Sequence, residues 1–134
     1  MPDNARHRFR VPAVDAAAAE ARRRVLLQLS AWRAPVETCD NAQLVVSELV
    51  TNALRHTASR TVGCELEIMG KLLRVAVTGD GSGPTERPAC ATEDDEGGRG
   101  LLLVCALSEG WGVQPCDDGR GHVVWADLTL VHPL

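Results

Sequence analysis

Residues 62–78 read VGCELEIMGKLLRVAVT, two alternating, β-branched runs at 62–69 and 72–78 that meet at Gly70-Lys71. Alternation at period two marks a strand with one buried face. A two-residue link with glycine where the chain needs positive φ closes such runs into an antiparallel hairpin. Upstream of this hairpin the pattern changes to helix. From Ala13 to Trp32 the composition is alanine, arginine and leucine, with Val25, Leu26, Leu29 and Trp32 at helical spacing and Asp15 placed to cap. Ala34-Pro35 interrupts it, and Thr38 or Asp40 opens a second helix that runs to about Thr57 with Leu44, Val45, Val46, Leu49, Val50, Ala53 and Leu54 as a wide apolar stripe. Further back, His-Arg-Phe-Arg-Val at 7–11 alternates and stops at Pro12, which suits a short edge strand.

Downstream lies the polar segment GDGSGPTERPACATEDDEGGRG, residues 79–100, long enough in a compact domain to be a functional loop or lid. Leu101–Leu107 is a short apolar helix starting at the glycines, and 111–114 and 122–131 are two strands around the Asp117–Gly121 turn. The order is strand, helix, helix, strand, strand, lid, helix, strand, strand. Because the helices are grouped rather than alternating with every strand, the order disfavours a parallel doubly wound sheet. The expected architecture is α+β: a two-layer sandwich whose mixed, mostly antiparallel sheet is covered on one face by helices.

At 134 residues the chain is expected to form a single domain, large enough to fold without a metal or disulfide. Fourteen Lys+Arg against 18 Asp+Glu leave a formal charge of −4, which disfavours a nucleic-acid partner, and 45% hydrophobic content excludes a disordered chain. No apolar run approaches the ~20 residues of a membrane span. The N-terminal MPDNARHRFR has no apolar h-region, so a cytoplasmic protein is expected. Lys71 is the only lysine, tyrosine is absent and Phe9 is the only phenylalanine, so the core must be aliphatic. Cysteines at 39, 64, 90, 105 and 116 lack metal-ligand spacing and are read as reduced, hydrophobic side chains.

Chemistry concentrates in three places. Glu48, Asn52 and either Arg55 or His56 share one stripe of the second helix at i, i+4 and i+7 or i+8. A carboxylate and an amide one turn apart suit a divalent cation and an oriented hydroxyl or water, although an ordinary amphipathic boundary carries the same residue types. Gly79, Gly81 and Gly83 follow a strand, while Gly97, Gly98 and Gly100, with Arg99 among them, precede a helix. Glycines admit close backbone approach to a phosphate, and the free N–H groups of a helix start attract its charge. Neither cluster is a dinucleotide fingerprint or a P-loop.

Taken in order, ELVTNALRH at 48–56, GDGSG at 79–83, GGRGL at 97–101 and GHVVWADL at 121–128 resemble the four boxes of the GHKL ATPase superfamily, the Bergerat fold. LVVSELVTNALRHT and GGRGLLLVCAL are closest to the bacterial anti-sigma-factor serine kinases and their stand-alone ATP-binding relatives. The resemblance spans Phe9 to Leu128. It implies ATP and Mg2+ as cofactors, Glu48 as the base that activates the attacking hydroxyl, Asn52 as the magnesium ligand, and Arg55 or His56 lining the nucleotide. Gly81 and Gly83 then belong to the first glycine box, and Gly97, Gly98, Arg99 and Gly100 to the phosphate-facing end of the lid. It also implies a serine/threonine kinase acting on an antagonist protein, a sigma factor as partner, and a homodimer through the first strand and helix.

Two departures bear on adenine recognition. The family's first glycine box begins with an Asp that accepts from the adenine amino group; aligning the glycines puts Gly79 there, with Asp80 next to it as a substitute if the strand end bulges. The last box carries Thr or Ser near the adenine, and the corresponding place in GHVVW is Val123. Intact Glu48 and Asn52 favour an ATP-dependent kinase. Gly79 and Val123 favour a non-enzymatic protein-binding module on the same fold.

Overall fold

The computed structural model describes residues 4–56, 60–80, 98–116 and 121–130, with His56, Asp80 and residues 98–102 described by backbone alone. Within them β1 (Asn4–Pro12), α1 (Ala17–Ala31), α2 (Val36–His56), β2 (Thr61–Met69), β3 (Leu72–Asp80), α3 (Gly98–Leu107), β4 (Gly110–Pro115) and β5 (Gly121–Thr129) follow one another in the expected order. The five strands form one sheet in the order β1-β2-β3-β5-β4. Every neighbouring pair is antiparallel, so the parallel component that a mixed sheet would contain is absent from these ladders. β3 and β4 flank β5, and α3 makes the crossover between them.

The hairpin is as read: Met69 pairs with Leu72, and Gly70 takes φ +64°. In β2 burial alternates without a break, with Val62, Cys64, Leu66 and Ile68 inward. These side chains meet the inward residues of α1 and α2, and the core that results is aliphatic apart from Cys39, Cys64 and Phe9. α2 lies at the centre of the helical layer, packed on α1, α3, β3 and β5. The opposite face of the sheet is covered by no helix among the described residues.

Two boundary expectations are corrected. Ala16, not Asp15, occupies the N-cap of α1 and makes no side-chain cap bond. α2 begins at Val36, one residue after Pro35, and Thr38 is fully buried inside the first turns rather than capping them. Proline fixes φ for helix entry, so the helix starts directly behind it and no polar side chain is required there.

One cysteine also departs from the reduced set: Cys39, Cys64 and Cys116 keep reduced thiols, whereas Cys105 on α3 is in a disulfide. Disulfide formation depends on Cα approach within about 7 Å, which spacing along the chain does not disclose. Burial pushes the Cys64 thiol up to about 12, so it packs as a neutral side chain. Cys90 lies outside the described residues.

α1 ends in a pair of reversed bonds, Arg33 N–H to Ser30 O at 3.0 Å and Ala34 N–H to Leu29 O at 2.9 Å. This Schellman arrangement puts Arg33 in the left-handed region at φ +60°, the place glycine normally holds. Left-handed backbone costs a residue with a Cβ about 1–2 kcal/mol. Arg33→Gly is expected to stabilise the protein by about 0.5–1 kcal/mol in denaturant unfolding, and a loss of stability would show that the Arg33 side chain contributes more than its backbone costs.

Candidate functional site

α2 carries the first group of site residues because its two flanks do different work. At about 100° per residue, Ala42, Val45, Val46, Leu49, Val50 and Ala53 make the buried stripe. Ser47 lies to one side of it, where Arg22 Nη1 of α1 donates to its Oγ at 2.7 Å. Glu48 and Asn52 lie to the other side, turned away from α1. Both are half-buried. The Glu48 carboxylate pairs with no cation among the described residues.

Asn52 is the most informative of them. Its Nδ2 is buried and has no hydrogen-bond partner among the described residues. An unpaired buried amide costs about 1–3 kcal/mol, so a helix that keeps one at the margin of an aliphatic stripe has chemistry left unspent there. Rotation about Cβ–Cγ exchanges the donor for the carbonyl oxygen, so the same side chain can meet a phosphate oxygen or a hard cation. Oxygen is the donor that magnesium takes, and with the Glu48 carboxylate one turn away the pair fits that ion.

The two other motifs reach the site through elements that adjoin α2. β3 packs against α2 and carries Gly79. Its ladder with β5 runs Thr78↔Val123, Gly79↔His122, Asp80↔Gly121 with no bulge, so Gly79 stays in the inward phase set by Val75 and Val77. The Asp80 side chain lies outside the description, as do Gly81 and Gly83. α3 also packs against α2, and it begins at Gly98, with Arg99 and Gly100 in its first turn. The backbone N–H groups of that first turn are the ones a helix leaves unpaired. Gly97 and the lid lie outside the described residues. Arg55 is exposed, and His56 is described only as the last helical residue of α2.

Val123 is corrected by the ladder. It pairs with Thr78 and lines a cleft on the helix-free face, the opposite side of the sheet from Asn52. The residue across from Gly79, in the inward phase of Val124, Ala126 and Leu128, is His122. Counting back by twos from those core positions would have found it; aligning GHVVW by motif shifted the phase by one residue, which in a strand reverses the face.

A family model described as a histidine kinase-like ATPase domain matches residues 11–127. Blue-light-activated histidine kinase 2 of Erythrobacter litoralis is 35% identical over 114 residues, which is 80% of this chain and 32% of that protein. The crystal structure of the RsbU and RsbW domains of a Mycobacterium tuberculosis protein superposes with a TM-score of 0.67 at 18% identity, over 96% of this chain and 33% of that one. The chain therefore spans about a third of the length of each.

The orphaned amide predicts a conflict between stability and binding. Asn52→Leu removes an unpaired buried polar group at similar volume, and the ligand-free protein is expected to gain about 1–2 kcal/mol in denaturant unfolding. Destabilisation instead would show that the amide supports the fold.

Proposed function

The chain belongs to the histidine kinase-like ATPase domain family, and from that membership we propose that the Glu48–Asn52 flank of α2, the end of β3 and the start of α3 together bind ATP with magnesium. The observation that carries this reading is the buried Asn52 amide without a partner. When bound, the nucleotide–metal complex supplies an electrophilic terminal phosphorus. Asn52 Oδ1 would hold the cation, and the N–H groups of the α3 first turn at Gly98–Gly100, with Gly97 before them, would face the phosphate oxygens. Arg99 adds positive charge there, with Arg55 or His56 beside the nucleotide. Glu48 would accept the proton of the attacking hydroxyl as the bond from the terminal phosphorus to ADP breaks; among the described residues no cation holds its carboxylate in an ion pair.

The acceptor we propose is a serine or threonine of an antagonist protein, with a sigma factor as the second partner, in the manner of anti-sigma-factor kinases acting in transcription regulation from the cytoplasm. LVVSELVTNALRHT and GGRGLLLVCAL support it. We take the whole chain as one such domain that pairs as a homodimer. No described helix is long and apolar enough to cross a membrane. Glu48→Gln is expected to bind ATP within about threefold of wild type in calorimetric titration while ADP release falls by about 10²–10⁴-fold. Unchanged turnover would remove Glu48 from the reaction.

A second reading, the non-enzymatic binding module, rests on Gly79. Its inward phase in an unbulged ladder leaves no carboxylate at that position for the adenine amine. Installing one by Gly79→Asp is expected to tighten ATP about tenfold or more and to sharpen adenine over guanine, for one charge-assisted hydrogen bond. If wild type already binds ATP tightly and Asp80→Ala abolishes it, Asp80 performs the task and the ordinary kinase reading holds.

A further inference from the structure

The helix-free face of the sheet carries a cleft of about 610 Å³ that the nucleotide reading does not use. Its floor follows one cross-strand row of the ladders, Arg10↔Gly63↔Thr78↔Val123↔Gln114. The three middle residues are short and the two ends are long, so the row is a trough running across all five strands. With strands about 4.8 Å apart its length is about 19 Å, the span of about six residues of extended chain. A compact metabolite would leave most of that length empty.

Charge distinguishes the two ends. Elsewhere on this face the cations are matched: Arg74 Nε and Nη2 donate to Asp127 at 2.7 and 2.9 Å, and Arg6 pairs with Glu65 and Glu67 at 3.0 and 2.8 Å. Among the described residues, Arg8 reaches only the Glu65 oxygen that Arg6 already holds, at 3.4 Å. Arg10 has no described carboxylate within ion-pair distance, and its Nη1 donates to the Thr61 hydroxyl at 3.1 Å. Arg8, Arg10 and the Glu65 carboxylate line the β1 end of the trough; because Arg6 also holds that carboxylate, the end keeps excess positive charge on a chain of net charge −4, while Thr78 and Val123 form a small, mostly apolar floor and the Gln114 amide closes the β4 end.

We propose that this trough binds an extended segment of a partner protein, about six residues long, with an Asp or Glu seated against Arg10 and Arg8, small apolar side chains over Val123, and backbone groups bonded to Gln114. The charge asymmetry gives the segment one direction across the sheet. A second copy presenting this same open face to the trough fits less well, because it would set Arg8 and Arg10 against like charges.

The test uses the full chain and a positional-scanning hexapeptide library, followed by fluorescence anisotropy of the selected peptide labelled with fluorescein. Selected peptides are expected to carry Asp or Glu at one end, to weaken tenfold or more on Arg10→Glu, and to lose affinity as salt rises. Arg10→Glu should select a basic end residue instead. Gly63→Val supplies a steric arm independent of charge: a Cβ there stands 3.6 Å from Thr78 Cβ, ordinary contact, so the sheet accommodates it while the added methyls fill the floor. Binding should fall tenfold or more in that variant too, with unfolding unchanged. Saturating ATP and magnesium should leave the peptide in place. The proposal is overturned by selection without acidic preference, by indifference to Arg10→Glu and Gly63→Val, by displacement with ATP, or by a concentration-dependent dimer that Gly63→Val dissolves, which would assign the trough to a second copy.

Discussion

The burial of one stripe of α2 against β3 and β5 is the constraint on which the remaining features depend. Val45, Val46, Leu49 and Val50 are fully buried along it, and each buried aliphatic side chain of this kind contributes about 1.5–3 kcal/mol. That packing fixes the rotation of the helix about its axis. Once the rotation is set, Ser47 must face α1 and Glu48 and Asn52 must face away from it. The polar flank is therefore positioned by apolar contacts it does not itself make. An amide with no partner is tolerated there because the stripe beside it supplies far more stabilisation than the amide costs.

The same constraint divides the sheet into two chemical surfaces. One layer of helices covers one face, so each strand residue belongs either to the core side or to the open side according to its parity. On the core side lie Gly79 and His122; on the open side lie Thr78 and Val123. Adjacent residues in one strand thus serve sites on opposite sides of the molecule. Away from the trough, the ions of the open face are arranged in pairs, most tightly where the Arg74 guanidinium is bonded to Asp127 and stacked 4.2 Å over the Trp125 ring. Trp125 in turn lies on Gly112, where a Cβ would stand 2.8 Å from the ring. Only glycine fits under it.

Local patterns made most of the architecture legible in the sequence. Alternation in 62–69 and 72–78 with Gly70 between them, the apolar periodicity of 44–54, and the glycines ahead of Leu101 each act over a few residues, and each element stands where those patterns put it. The grouping of helices sufficed for the fold class, since it leaves no crossover helix for every strand pair. Glu48 and Asn52 were also legible, because i, i+4 spacing puts two side chains on one helix face in any surroundings.

What lay beyond the sequence depends on neighbours distant along the chain. That the Asn52 amide is buried and unpaired follows from the packing around α2, and no spacing encodes it. That His122 rather than Val123 shares the inward phase with Gly79 follows from the β3–β5 register, which joins residues 43 apart. The disulfide at Cys105 depends on a Cα approach that only folding creates. The trough is the extreme case: its five floor residues come from five strands, and no two of them are neighbours in sequence. Local energetics act through the chain and can be read from it, whereas a surface assembled across strands exists only after the register has been chosen.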